Sequence, residues 1–394
     1  MAGTRLETKY LGSSETPELQ LSRAQGSFVF DTAGRKYIDF VMGWCVGNFG
    51  WGNPEIVRAV QRFAGPDYAY PEWSYAPWGE LARLLASIAP GKLTKSFRAT
   101  GGSEAVELAL QAALVHTGRR AFVALEGSYH GNTLGTLSIA DSENRKKYEN
   151  LLPFCHKIDT PLDEKALDKI ETRLKRRDVA AFIMEPVSMN LGVLIPDALF
   201  MTQLQKLCRR YGTLLVMDEV ACGFGRTGKI FASEHFDIEP DIMCLGKAIG
   251  GGVLGLGAMI TTEAVGQSLE EDGSLWSTFG WHPRSVDVAI ATVRYVTRHQ
   301  KKLFDNVARM SDYFRARLSQ MEYENPASIN ILGLAIGVDF DDEDYANKVA
   351  ARCRRKGLVV APQDTGILLI PALNIEYEVA EKALDIFEDS IQSA

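Results

Sequence analysis

The chain has 394 residues, 46% of them apolar and 24% charged, which suffices for a large buried core and is not the composition of a disordered protein. Lys and Arg number 43 against 50 Asp and Glu, a formal charge of −7, and the basic clusters Arg145–Lys147, Arg173–Arg177 and Arg352–Lys356 are short and scattered. They read as solvated helix faces, so neither nucleic acid nor an anionic membrane is expected as a partner.

In chain order, the start "MAGTRLETKYLGSSE" has no apolar leader segment, and no stretch approaches the ~18 apolar residues of a membrane span, so a soluble protein is expected. Cys45, Cys155, Cys208, Cys222, Cys244 and Cys353 have no C-x-x-C spacing and read as reduced thiols of a cytoplasmic protein. "FVFDTAGRKYIDF" (28–40) sets two alternating apolar stretches around a turn and predicts a hairpin. From about residue 78, strand-like runs ("AFVAL", "AFIM", "TLLVM", "DIMCL") alternate with segments of helical spacing ("EAVELALQAALVH", "FMTQLQKLCRRY"). That alternation predicts an α/β fold with a mostly parallel sheet covered on both faces. After Pro283 comes one long helical pattern, then "LAIGVDF", a helix around Tyr345–Lys356, "LVVA", "ILLI" and a last helix from about Glu378. The expected organisation is a large α/β domain at 50–282 and a smaller α+β domain from 1–49 plus 283–394.

Four of the strand-like runs end in polar residues. "AFVAL" leads to Glu126, Gly127, Ser128, Tyr129 and His130; "AFIM" to Glu185; "TLLVM" to Asp218 and Glu219; and "DIMCL" to Gly246 and Lys247. In an open parallel sheet, neighbouring carboxyl ends face one crevice where ligands bind, so the lysine and the aspartate are candidates for a common site. Taken singly, an aspartate after a strand is more often a cap or turn residue, and a lysine before glycines more often solvated. In "ATGGSEAVELAL" the glycines precede a strong helix, whose first amides suit a phosphate; Ser103 could equally be a simple helix cap.

Three patterns mislead. "GFGRTGK" (223–229) approaches a P-loop, but Ile230 follows its lysine, and Asp218 and Glu219 separate it from its strand and would repel a pyrophosphate. "LLVMDE" has the look of a magnesium-holding acidic pair but stands before that near-P-loop, the reverse of the ATPase order. The six histidines form no metal-ligand spacing, so no metal is expected.

Taken together, "MDEVACGFGRTGK", the lysine of "GKAIGGG" 29 residues after Asp218, "GGSEAVE", "SYHG", "FDTAGRKYIDF" and "STFGWHP" resemble the class III aminotransferases, from about residue 28 to 373. The resemblance implies the type I fold of the pyridoxal-phosphate-dependent transferases, with pyridoxal 5'-phosphate as cofactor. Lys247 would form the Schiff base with it and shuttle the substrate proton, and Asp218 would pair with the pyridine nitrogen. Tyr129 and Val220 would flank the ring, and Gly101, Gly102 and Ser103 would hold the phosphate. Thr278 would reach that phosphate from a second subunit, which makes a homodimer with shared sites the expected assembly. Glu185 would stand near the cofactor, and Trp44, with Tyr129, would line the substrate pocket.

Three departures from the family pattern stand out, the first near the cofactor ring and the two arginine positions bearing on substrate. The glutamine many members carry after "DEV" is Ala221, and the arginine that clamps an α-carboxylate in members acting on α-amino acids such as acetylornithine is Leu368. A further arginine of relatives is Asn330. Leucine cannot pair a carboxylate, so the expected reaction is ping-pong transfer from an amine or ω-amino donor to a keto acid such as pyruvate. A mutase or racemase on the same scaffold is the alternative.

Overall fold

The computed structural model describes residues 19–273, 276–324 and 327–392. Its centre is a seven-stranded sheet of β4 (Leu93–Ala99), β5 (Ala121–Leu125), β6 (Cys155–Ile158), β7 (Val179–Met184), β8 (Leu214–Asp218), β9 (Ile242–Leu245) and β10 (Gly257–Thr262), in the order β4-β10-β9-β8-β7-β5-β6. The pairs β5–β6, β5–β7, β7–β8 and β8–β9 are parallel, and β10 runs antiparallel to both of its neighbours.

Strands β5, β7, β8 and β9 are buried along their whole length, because helices cover both faces. Alternation sorts the side chains. Phe122, Ala124, Leu214 and Val216 pack on the helix Gly102–Thr117, whose Ala105, Ala109, Ala112 and Ala113 let it approach closely. Val123, Leu125, Leu215 and Met217 pack on the opposite face, against the helices Glu164–Leu174 and Ala198–Tyr211.

The hairpin of β2 (Phe28–Asp31) and β3 (Lys36–Asp39) forms as expected, preceded by β1 (Leu21–Gln25). The helical pattern after Pro283 is one helix, Pro283–Gln320, about 57 Å long at 1.5 Å per residue. Its buried stripe, Val286, Ala289, Ile290, Val293, Val296, Leu303, Val307, Met310 and Phe314, belongs to one core with Ile38, Phe40, Val338 and Leu358. Beyond it lie β11 (Ser328–Leu332) and β12 (Ala335–Asp339), the helix Glu343–Lys356, β13 (Leu358–Val359), β14 (Ala361–Gln363), β15 (Gly366–Leu369) and the helix Tyr377–Gln392.

Two readings need correction. "LVVA" is not one strand: β13 joins the hairpin, with Leu358 opposite Ile38, whereas β14 joins the sheet β11-β12-β15-β14, with Ala361 opposite Leu368. Apolar run length alone does not reveal that the chain changes sheets at Val360. Nor is Arg173 solvated: its side chain is 11% exposed and grips Asp178 in a two-pronged pair at 2.7 and 3.0 Å. The near-P-loop is a structural tie. Arg226, fully buried, donates to Leu334 O, Pro371 O and Asn48 Oδ1 at 2.9, 2.7 and 2.6 Å. No helix of the described residues is long and apolar enough to cross a membrane.

The start of β10 leaves no room for a side chain. A Cβ on Gly257 would lie 2.3 Å from Gly101 O and 2.5 Å from Gly101 C, backbone atoms just ahead of the helix Gly102–Thr117. Gly257→Ala is expected to cost about 1–3 kcal/mol, read as a lowered thermal midpoint; an unchanged midpoint would show that this contact is not tight.

Candidate active site

At the carboxyl ends of β5, β7, β8 and β9 a cavity of about 750 Å³ opens beside the start of the helix Gly102–Thr117. Trp44, Gly102, Ser103, Tyr129, Glu185, Asp218, Val220 and Lys247 all line it. Of the cofactor and pocket residues that the family resemblance implies, Gly101 and Thr278 do not.

Lys247 follows β9 directly, with φ +48°, and opens a short 3-10 turn. Gly246 before it is required by closeness: a Cβ there would stand 3.1 Å from Val220 Cγ1 and 3.2 Å from Gly102 Cα. The lysine is half-buried, its Nζ 5.9 Å from the centroid of the Trp44 ring.

Asp218 ends β8 and is 3% exposed. A carboxyl group so buried must be hydrogen-bonded. Oδ1 accepts the Val220 backbone N–H at 3.0 Å, and Oδ2 accepts from Nδ1 of buried His130 at 2.7 Å. His130 Nε2 is buried and has no partner among the described residues. Its neighbour Glu219 turns away from the cavity and accepts from Ala232 N, Ser233 N and Ser233 Oγ at 2.7–2.9 Å.

Ser103 does not cap its helix. Gly101 is the N-cap, with no side-chain bond, and Ser103 lies in the first turn, its hydroxyl accepting the Asn132 N–H at 3.4 Å. First-turn amides such as those of Gly102 and Ser103 have no acceptor within the helix, and they stand at the positive end of its dipole. Tyr129, half exposed, follows β5 at the mouth. Val220 packs against the helix start so closely that a Cβ on Gly102 would lie 2.9 Å from its Cγ1.

Glu185, 5% exposed, follows β7. Burial pushes its carboxyl up to about 8; the nearby Asp218 charge adds to this, while Lys247 and the Met189 and Asn190 amides oppose it. Arginine is absent from the lining among the described residues. Leu368, 1% exposed, packs in a cluster with Met184, Val187 and Met189, against which Trp44 rests. Asn330 donates to Gly192 O at 3.1 Å, and Ala221 lines the cavity with no polar group to offer.

His130, named from sequence among the polar residues after "AFVAL", was given no role there. Its partner strand β8 is separated from β5 by β7 in the sheet, an order that residue patterns do not disclose. Gln363 and Asp364, which also line the cavity, come from the β14–β15 turn of another sheet and carried no motif.

The set fits a phosphorylated pyridine aldehyde: free amides at a helix start, a buried carboxylate with lone pairs to spare, an amine, and two glycines whose missing Cβ atoms leave Val220 in place. Comparison with known proteins agrees. The family model for Aminotransferase class-III matches residues 10–391. A transaminase from the marine bacterium Virgibacillus is 24% identical, with a TM-score of 0.92 over 100% of this chain and 99% of that one. A taurine:2-oxoglutarate aminotransferase from Bifidobacterium kashiwanohense, solved with PLP and glutamate, is 24% identical, with a TM-score of 0.91 over 100% and 97%. An omega transaminase from Pseudomonas jessenii, solved with PMP, is 22% identical, with a TM-score of 0.92 over 99% and 97%.

The raised Glu185 value has a thermodynamic consequence. Between the ordinary 4.5 and about 8 the folded chain keeps a proton that the unfolded chain releases, so this residue makes stability fall as pH rises through that window. Glu185→Gln removes the effect. Its stability relative to the parent is expected to rise from pH 5 to 8, by at most about 1.4 kcal/mol per pH unit; parallel stability–pH curves for the two proteins would refute the protonated state.

Proposed function

The chain belongs to the class-III aminotransferases, which work with pyridoxal 5'-phosphate, and we propose that it moves an amino group from an amine or ω-amino donor to a keto acid such as pyruvate. The observation that carries the donor class is the arginine-free lining, with Leu368 at the position where relatives clamp an α-carboxylate. A carboxylate brought there would lose its hydration and gain no guanidinium.

Placement supports the following roles. The bound cofactor supplies an electron sink for the pair released when the donor C–H bond breaks. Asp218, its carboxylate fixed by His130 and the Val220 amide, would hold the pyridine nitrogen with its proton. The Gly102 and Ser103 amides hold the phosphate, with Gly101 shaping the turn before them. Tyr129 and Val220 would stand against the ring. Lys247 Nζ would be the group that accepts and returns a proton in this cavity, a role worth about 100- to 10,000-fold in rate. Trp44, near that amine, and Tyr129 exclude water from the donor.

Thr278 lies outside its own chain's cavity, beside a patch of exposed rings in which Trp73, Trp276 and Phe279 are 67%, 54% and 61% exposed. Tyr70 meets Trp73 and Trp276 edge to face, each at 5.6 Å. Exposed aromatics in such number suit a self-association surface, and a second copy seated there would bring its Thr278 to this cavity. Trp276→Glu with Phe279→Glu is expected to sediment as a monomer; a parent protein that is itself monomeric would exclude the shared site.

The function is tested by transamination of pyruvate with an arylalkylamine and with acetylornithine, after borohydride reduction and peptide mapping have located the cofactor adduct. Adduct on Lys247 and a preference for the arylalkylamine of about tenfold or more are expected, the scale of one lost charged pair in a pocket. Adduct on another lysine or a preference for acetylornithine would overturn the reading. Keto product released by donor alone separates transfer from a mutase or racemase.

A further inference from the structure

The active-site cavity has a neighbour. Gln363 and Asp364, at the turn between β14 and β15, line the main cavity and also line a second one of about 240 Å³. Its other walls include Leu191, Leu194 and Ile367, together with Asp339 and Thr365. Thr365 Oγ1 and the Asp341 amide both donate to Asp339 Oδ1, at 2.7 and 3.0 Å, and Asp339 Oδ2 has no hydrogen-bond partner among the described residues. Asp364, exposed, accepts one N–H from Gln363 Nε2 at 3.1 Å. Leu368 belongs to this second lining, so the missing arginine removes a positive charge from here as well. Among the described residues, neither lining contains arginine, and Lys247 is their one lysine.

We propose that the two cavities are one substrate site, the second being a tail subsite for the far end of an α,ω-diamine donor. The inference rests on the amine-donor reading above and names the kind of amine. While one amino group reacts at Lys247, an apolar chain runs past Gln363 along Leu191, Leu194 and Ile367. The distal ammonium, which carries three N–H donors and no acceptor, meets Asp364 and Asp339. A tail ending in a carboxylate would face those two acids with no cation to offset it, and a purely apolar tail would strip water from them without replacing its hydrogen bonds. A second ammonium satisfies both the apolar walls and the carboxylates.

The test compares pentane-1,5-diamine with pentan-1-amine, using pyruvate as acceptor, in the parent holoenzyme and in Asp364→Asn. Calorimetric binding of the same two amines to the borohydride-reduced holoenzyme, which cannot turn over, gives a second readout. The parent is expected to favour the diamine about fivefold, in kcat/KM and in affinity, as an exposed ion pair allows, with Asp364→Asn drawing both ratios towards one. Equal use of the two amines by the parent, or a diamine preference that survives in Asp364→Asn, overturns the tail subsite and leaves the amine-donor reading intact. Turnover of an α-amino acid with neither amine accepted overturns that reading and the subsite with it.

Discussion

The site depends on one requirement: the carboxyl group of Asp218, 3% exposed at the end of a fully buried strand, has to be hydrogen-bonded. The two groups that satisfy it organise the rest of the cavity. The Val220 amide, held by Oδ1, fixes the turn after β8 and sets the Val220 side chain against Gly102 and Gly246. His130, held by Oδ2, fixes the segment after β5 and with it Tyr129, one residue earlier. Removing the carboxylate would thus loosen both walls of the cavity.

Much of this arrangement is legible in the sequence because strand ends in a parallel sheet converge. The polar residues that stop four apolar runs mark Tyr129, Glu185, Asp218 and Lys247, and all four line one cavity. What is not legible depends on strand order and on contacts across sheets. The His130–Asp218 bond spans two strands that are not neighbours, and Asp364 arrives from a turn in a different sheet. The two carboxylates of "DE" show how local the limit is. Adjacent in sequence, one faces the cavity while the other is consumed by the amides of Ala232 and Ser233, and only three-dimensional placement separates their roles.

One departure from the family pattern bears on charge. Leu368 puts an apolar group where the family resemblance expects arginine, in the lining of a smaller cavity that shares Gln363 and Asp364 with the main one. It offers no cation to an anion, while Asp141, Asp218 and Asp364 remain around the main cavity. A pocket of that sign supports the amine-donor proposal by disfavouring anionic alternatives as much as by attracting a cation.

Glu185 is the exception among these acids. A second charged carboxylate in the cavity would repel that of Asp218. Burial, with the Asp218 charge close by, instead keeps the proton on Glu185 up to about pH 8. Two carboxyl groups in one cavity are thereby set to different tasks by their surroundings, one bound by an imidazole and an amide, the other kept protonated. Among the described residues Lys247 has no ion-pair partner, and its near neighbour is the Trp44 ring.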